Sequence, residues 1–105
     1  MSKSALIICA GGMSSSLIAK KTMSYLNDEG IDIVMDARGV PEGTKKIQED
    51  KFDLYLISPQ TKMYFKQLEE MAKKYDKPVV QIPPQAYIPI PMGIEKMAKL
   101  VKENI

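Results

Sequence analysis

No histidine occurs among the 105 residues, and cysteine occurs once, at Cys9. Without imidazole the chain cannot build a His-based catalytic dyad or triad, carry phosphohistidine itself, or assemble most zinc sites. A lone cysteine forms no internal disulfide, which fits a reducing compartment. No apolar run approaches the roughly 20 residues that span a bilayer. The start, Met1-Ser2-Lys3-Ser4, leads into a short strand and lacks the apolar core and cleavage site of a signal peptide. A cytoplasmic location without direct membrane insertion is therefore expected. The net charge of +2, with 15 Lys and Arg scattered among 13 Asp and Glu, is too small to argue for nucleic acid. Neither a metal site nor a cofactor is expected. Chemistry is left to the thiol, carboxylates, hydroxyls and backbone.

What is present reads as one globular domain over residues 1–105, with 45% hydrophobic and 27% charged residues. Short apolar runs alternate with amphipathic segments. The first strand is Ser4-Cys9, apolar without alternation, as expected for a strand covered on both faces. A helix follows over about Ser14 to Glu29, with Ile18, Ala19, Thr22, Met23 and Leu26 on one stripe and Gly30 as terminator. The second strand is Asp32-Asp36. Arg38 to Gly43 reads as an irregular loop before a short polar helix, Thr44-Asp50. The third strand, Asp53-Ile57, turns at Ser58-Pro59-Gln60 into a helix carrying Tyr64, Leu68, Met71, Ala72 and Tyr75 on one side. The fourth strand is Pro78-Ile82. A final helix from Gly93 aligns Ile94, Met97, Ala98 and Val101.

This alternation predicts an α/β fold: a four-stranded parallel open sheet, strand order 2-1-3-4, with helices on both faces. The topology expected is that of flavodoxins and small cysteine phosphatases. Ligand sites in such sheets lie beyond the carboxyl ends of the strands, at a switch in strand order. Three segments should gather there: the Cys9 loop, the Ser58-Pro59-Gln60 turn, and the segment from Pro83 to Met92. The last holds four of the seven prolines.

The Cys9 loop carries the chemistry. Gly11 and Gly12 let the backbone curl, so that residues Ala10 to Ser16 can present consecutive N–H groups to an anion. Ser14, Ser15 and Ser16 add hydroxyl donors and a helix cap. The positive end of the following helix favours a thiolate and would equally favour a phosphate. A lone cysteine is most often an inert buried hydrophobe, and it is the glycine-serine loop and the strand-end position that argue otherwise. Walker A, dinucleotide and C-x-x-C patterns are all absent.

A small cysteine phosphatase would need an arginine six residues after the cysteine, where this chain has Ser15. A loop of neutral donors should hold phosphate moderately and hydrolyse it slowly. Three readings stay open: a phosphoryl carrier, a cysteine-dependent phosphatase lacking the usual arginine, and a non-catalytic flavodoxin-like binding module. The last is weakened because Cys9 and Ser58, not aspartates, end the first and third strands.

The run Cys9-Ala10-Gly11-Gly12-Met13-Ser14-Ser15-Ser16-Leu17 resembles the phosphorylation loop of enzyme IIB subunits of the lactose/cellobiose (diacetylchitobiose) class of the sugar phosphotransferase system. That family's pattern is approximately C-x-x-G-M-S-[ST]-S-L, with Gly11 and Ser15 as tolerated variants. The likeness extends over the chain through its length, element order, the Pro59-Gln60 pair and a tyrosine-containing segment before the last helix. It implies a phosphotransferase in which Cys9 takes a phosphoryl group from a phosphohistidine on enzyme IIA. Cys9 then passes the group to a sugar, such as cellobiose or a related β-disaccharide, imported through the membrane enzyme IIC. Ala10, Gly11, Gly12, Met13, Ser14, Ser15 and Ser16 would hold the phosphate. Gln60 and Tyr87 fall in matching loops as candidate walls or partner contacts. Met13, Tyr87, Ile88, Ile90 and Met92 are candidates for an apolar docking patch, on a chain expected to be monomeric.

Overall fold

A computed structural model describes residues 3–10 and 13–105, the side chains of residues 13 and 14 excepted. The elements run β1 (Lys3–Cys9), α1 (Met13–Asp28), β2 (Ile33–Gly39), α2 (Val40–Gln48), β3 (Leu54–Ile57), α3 (Phe65–Lys73), β4 (Val79–Gln81) and α4 (Pro91–Asn104). Short 3₁₀ segments, Pro59–Tyr64 and Pro84–Ala86, precede α3 and α4. The four strands form one parallel sheet in the order β2-β1-β3-β4, as the alternation of elements predicts.

Side-chain alternation divides the interior into two layers. Ala5 and Ile7 of β1 join Ile33, Met35, Leu54 and Leu56 beneath α1 and α4. Leu6 and Ile8 point the other way and join Tyr55, Ile57 and Val79 beneath α2 and α3. β1 and β3 are wholly buried from Ala5 onward and from Leu54 onward, which explains their unbroken apolar sequence. The stripe foreseen on α1 is buried at Ile18, Ala19, Thr22 and Leu26. Gly30 follows that helix with φ +86°, a conformation glycine reaches without a Cβ clash.

Beyond shifts of a residue or two at element ends, three readings differ from expectation. Residues 38–43 form no irregular loop: β2 continues to Gly39, and α2 begins at Val40. Pro41 lies in the first helical turn, where the missing N–H costs no hydrogen bond. Gly43 sits against the Ile8 side chain, so its lack of a Cβ brings α2 close to the sheet. α4 likewise begins before Gly93, with Pro91 in its first turn. On α3 the core face is Leu68 and Ala72, while Tyr64 and Tyr75 stay 40% and 38% exposed. Tyr64 closes the 3₁₀ segment and is therefore off the helical stripe. Tyr75 instead donates its hydroxyl to the Gln48 carbonyl at 2.9 Å. Among the described residues no helix is long and apolar enough to cross a membrane.

Candidate functional site

Cys9 is the last residue of β1, beside Gly39 in the parallel register. β1 lies between β2 and β3, so strand order switches direction at its carboxyl end, where α/β sheets place their ligands. Cys9 shares the parity of Ala5 and Ile7 and turns toward the α1 and α4 layer. It keeps 4% of its surface, and Ser15 keeps 2%.

The Ser15 hydroxyl, in the first turn of α1, donates to the Cys9 sulfur at 2.9 Å. On its other side the thiol can donate to the Arg38 carbonyl at 3.4 Å. The second contact requires a protonated sulfur, whereas the first strengthens as charge develops on it. Ser15 occupies the position where a phosphatase would carry its arginine. A hydroxyl can solvate a sulfur anion there but brings no positive charge to a transferring phosphoryl group.

Tyr87 reaches the same place from the proline-rich segment, its half-buried phenol near enough to Ser15 and Cys9 for both to act on it. Burial pushes its phenol above the usual 10.0, Ser15 pulls the other way, and charge at Cys9 adds to the rise. The segment is itself held: the Ala86 and Tyr87 N–H groups donate to the Pro83 and Pro84 carbonyls at 2.9 and 3.1 Å.

The third converging segment is pinned from below. Ser58 N–H donates to the Ile8 carbonyl at 2.9 Å, and the Thr61 hydroxyl donates to that carbonyl at 3.2 Å. The Ser58 and Thr61 hydroxyls lie 2.9 Å apart, both buried. Gln81, at the end of β4, donates its amide to the Ile57 and Ser58 carbonyls at 3.0 and 3.2 Å.

Of the residues singled out from sequence, Cys9, Ser15 and Tyr87 are brought together. Ala10 and Ser16 are not part of that hydrogen-bonded group, and Ala10 is exposed beside it. Gly11 and Gly12 lie outside the described residues, as do the side chains of Met13 and Ser14. Gln60 is exposed on the 3₁₀ segment and has no hydrogen bond or ion pair to the Cys9 group. Sequence reasoning passes over Thr61 and Gln81, which hold the turn; a polar side chain at the end of a buried strand is the available signal. Among the described residues no cluster of His, Cys, Asp and Glu could hold a metal ion.

Ile88, Ile90 and Met92 are exposed, at 41%, 50% and 66%. Leu17, not foreseen as part of this surface, is also exposed. It faces Ile90 and Ile94 across a groove of about 600 Å³ between α1 and α4, whose rim carries Lys20, Lys21 and Glu95.

The family model of the lactose/cellobiose-specific IIB subunit of the phosphotransferase system matches residues 4–103. Comparison of the sequence with curated proteins gave no match. Among solved structures, the lactose-specific IIB component domain from Streptococcus pneumoniae superposes with a TM-score of 0.85 at 18% identity, covering 99% of this chain and 98% of that one. The cellobiose-specific phosphotransferase IIB component from Borrelia burgdorferi gives a TM-score of 0.73 at 27% identity, covering 99% and 92%. A thiol at the end of β1, in a fold shared with these domains and within a match of this extent, places the chain in the lactose/cellobiose-specific IIB family of the sugar phosphotransferase system.

Proposed function

We propose that this chain is a phosphoryl carrier in which Cys9 accepts the phosphoryl group of a phosphohistidine on enzyme IIA and donates it to a sugar imported through enzyme IIC. The observation that carries the reading is the Ser15 hydroxyl 2.9 Å from the Cys9 sulfur at the start of α1. A nucleophilic sulfur is met there by a neutral donor and the positive end of a helix.

In the first transfer the thiolate attacks phosphorus in line. The S–P bond forms as the N–P bond breaks, and the electron pair of that bond stays on the leaving imidazole nitrogen. Backbone N–H groups of residues 10–16 and the serine hydroxyls take up the phosphoryl oxygens. In the second transfer a sugar hydroxyl attacks phosphorus, the S–P bond breaks, and the thiolate is regenerated. The hydroxyl proton leaves to a base outside this chain, which has no histidine to receive it. The sugar is a β-disaccharide of the cellobiose type, in line with the family and with the cellobiose-specific neighbour.

Both partners must reach one sulfur in turn. The exposed apolar rim of Leu17, Ile88, Ile90 and Met92 is the surface they share. The protein works as a monomer in the cytoplasm, one domain over residues 1–105.

The test supplies phosphoenolpyruvate, the general phosphotransferase components and the cognate enzyme IIA, and follows intact mass. One phosphoryl group should appear on Cys9 and should leave when enzyme IIC and its sugar are added. A Cys9→Ser protein that still accepts the label sinks the proposal. Rapid release of inorganic phosphate by the isolated protein would favour the phosphatase reading, which the neutral Ser15 argues against.

A further inference from the structure

We infer that Thr61 is a positioning residue for Cys9, acting through the Ile8 carbonyl. The inference rests on the reading of Cys9 as a nucleophile. Pairing between β1 and β3 stops at Ile8 and Ile57, so Cys9 has a sheet neighbour only in β2, at Gly39. Past that point the chain leaves β3 and turns away through the 3₁₀ segment Pro59–Tyr64. Thr61 interrupts that segment with a non-helical backbone (φ −113°, ψ 20°), and it is buried while Gln60 and Lys62 are exposed. Its hydroxyl reaches back to the Ile8 carbonyl at 3.2 Å, beside the Ser58 N–H at 2.9 Å. Two donors therefore hold one oxygen where the neighbouring strand has ended. That oxygen belongs to the planar peptide unit that ends at the Cys9 Cα, so holding it fixes the start of the residue that carries the sulfur.

The acceptors set the direction of the hydroxyl pair. Thr61 has one proton, and the Ile8 and Ser58 carbonyls, each at 3.2 Å, can only accept it. The Ser58 hydroxyl, 2.9 Å from Thr61 Oγ1, is then the donor of that pair. Ser58 donates to Thr61, and Thr61 donates to the backbone of β1. Buried bonds aligned in this way strengthen one another. The turn is anchored on its far side too, by the Gln81 amide on the Ile57 and Ser58 carbonyls at 3.0 and 3.2 Å. None of the Thr61 bonds reaches the sulfur. Their effect falls on where the sulfur stands relative to Ser15, 2.9 Å away. In-line transfer is sensitive to such placement, a shift of about 1 Å being enough to slow a positioned reaction severely.

The experiment compares wild type with Thr61→Val and Thr61→Ser in two measurements, at a temperature where circular dichroism shows each protein folded. One follows the carbon and amide NMR signals of Ile8, Cys9 and Ser15 in the isolated protein, which needs no partner. The other is single-turnover phosphoryl uptake from phosphorylated enzyme IIA, read as maximal rate, half-saturating concentration and final extent. Thr61→Val should move the Ile8 carbonyl signal and, with it, the signals of Cys9 and Ser15. It should lower the maximal rate by about two- to tenfold, the effect of one hydrogen bond, with half-saturation and extent unchanged. A variant that was merely unstable would lower the extent and leave the rate of its folded molecules alone. Thr61→Ser keeps the hydroxyl and should restore both the signals and the rate. If Thr61→Val does not fold, Thr61→Ala carries the same expectations. A Thr61→Ser protein as slow as Thr61→Val would overturn the inference, as would Cys9 signals that stay in place while that of Ile8 moves. If the NMR pattern holds while wild type accepts no phosphoryl group, the positioning stands and the carrier reading fails. If wild type is phosphorylated on Cys9 and Thr61→Val is as fast, the carrier reading stands and the positioning fails.

Discussion

Gly93, in the first turn of α4, lies directly against the carbonyl oxygen of Ile88, leaving no room for a side chain at that position. The contact closes the segment after Tyr87 onto the helix, and Ile90 N–H adds a bond to the same carbonyl at 2.9 Å. The clash is with backbone, which cannot rotate away. Gly93→Ala should therefore destabilise the fold by about 1–3 kcal/mol despite alanine's better helix propensity. A urea midpoint unchanged from wild type would refute this.

Gly43 plays a similar part on the other face, with a side-chain neighbour. A Cβ there would meet Cγ1 and Cδ1 of Ile8 at 2.8 and 2.9 Å. Gly43→Ala should cost about 1–3 kcal/mol in the wild-type background through overpacking. With Ile8→Ala already in place the clash is gone, and the same substitution should stabilise by up to about 1 kcal/mol through helix propensity. Chemical denaturation of the four proteins of this cycle gives the coupling. Additive effects would show that α2 moves freely over Ile8.

The Ser58–Thr61 pair ties the turn after β3 to β1 one residue before Cys9. Thr61→Val removes the hydroxyl while keeping the branched shape. The Ser58 hydroxyl is then left buried without this partner, at a cost of about 1–3 kcal/mol. For a domain of this size each kcal/mol corresponds to a fall of about 4–8 °C in Tm. Calorimetry showing a change under about one degree, far below that scale, would mean that the turn is held without this bond.

Tyr87 supplies a pH signature. Its phenol titrates above 10.0, raised first by burial, lowered by Ser15 and raised by charge at Cys9. Ser15→Ala should therefore move the midpoint further up, and Cys9→Ala should move it down. NMR of ¹³C-labelled tyrosine resolves the residue, with Tyr87→Phe assigning its signal. The folded state holds this proton more tightly than the unfolded one, so stability falls as pH rises. The contribution is fully present below the ordinary phenol value and is lost as pH rises through the higher folded value. The same sign applies to Tyr55, whose phenol is also raised, chiefly by burial. The stability difference between wild type and Tyr55→Phe should move in favour of the variant above about pH 10. A difference constant with pH would contradict the assignment.

The strands of the sheet are readable because their evidence is local. Leu6-Ile7-Ile8 and Leu54-Tyr55-Leu56-Ile57 are uninterrupted apolar runs that suit only strands buried on both faces. The span 38–43 misleads because its glycines and proline suggest a loop when taken alone. Gly43 is helical for a reason 35 residues away in sequence, the Ile8 side chain it packs against. Counting helical turns puts Tyr64 on the core face, but the count runs through a segment that turns as a 3₁₀ helix.

By itself the sequence determined the parallel α/β fold, the candidate nucleophile and the exclusion of imidazole chemistry, since each depends on residue type or short-range pattern. The tertiary structure decided which hydroxyl serves the sulfur. Ser15 and Ser16 are equivalent on paper, and only the geometry of α1 against the end of β1 brings Ser15 to 2.9 Å of Cys9. It also decided that Tyr87, 78 residues along the chain from Cys9, meets that serine while Gln60 stays in solvent. Contacts of that sequence separation are created by the packing of whole elements, and no local pattern records them.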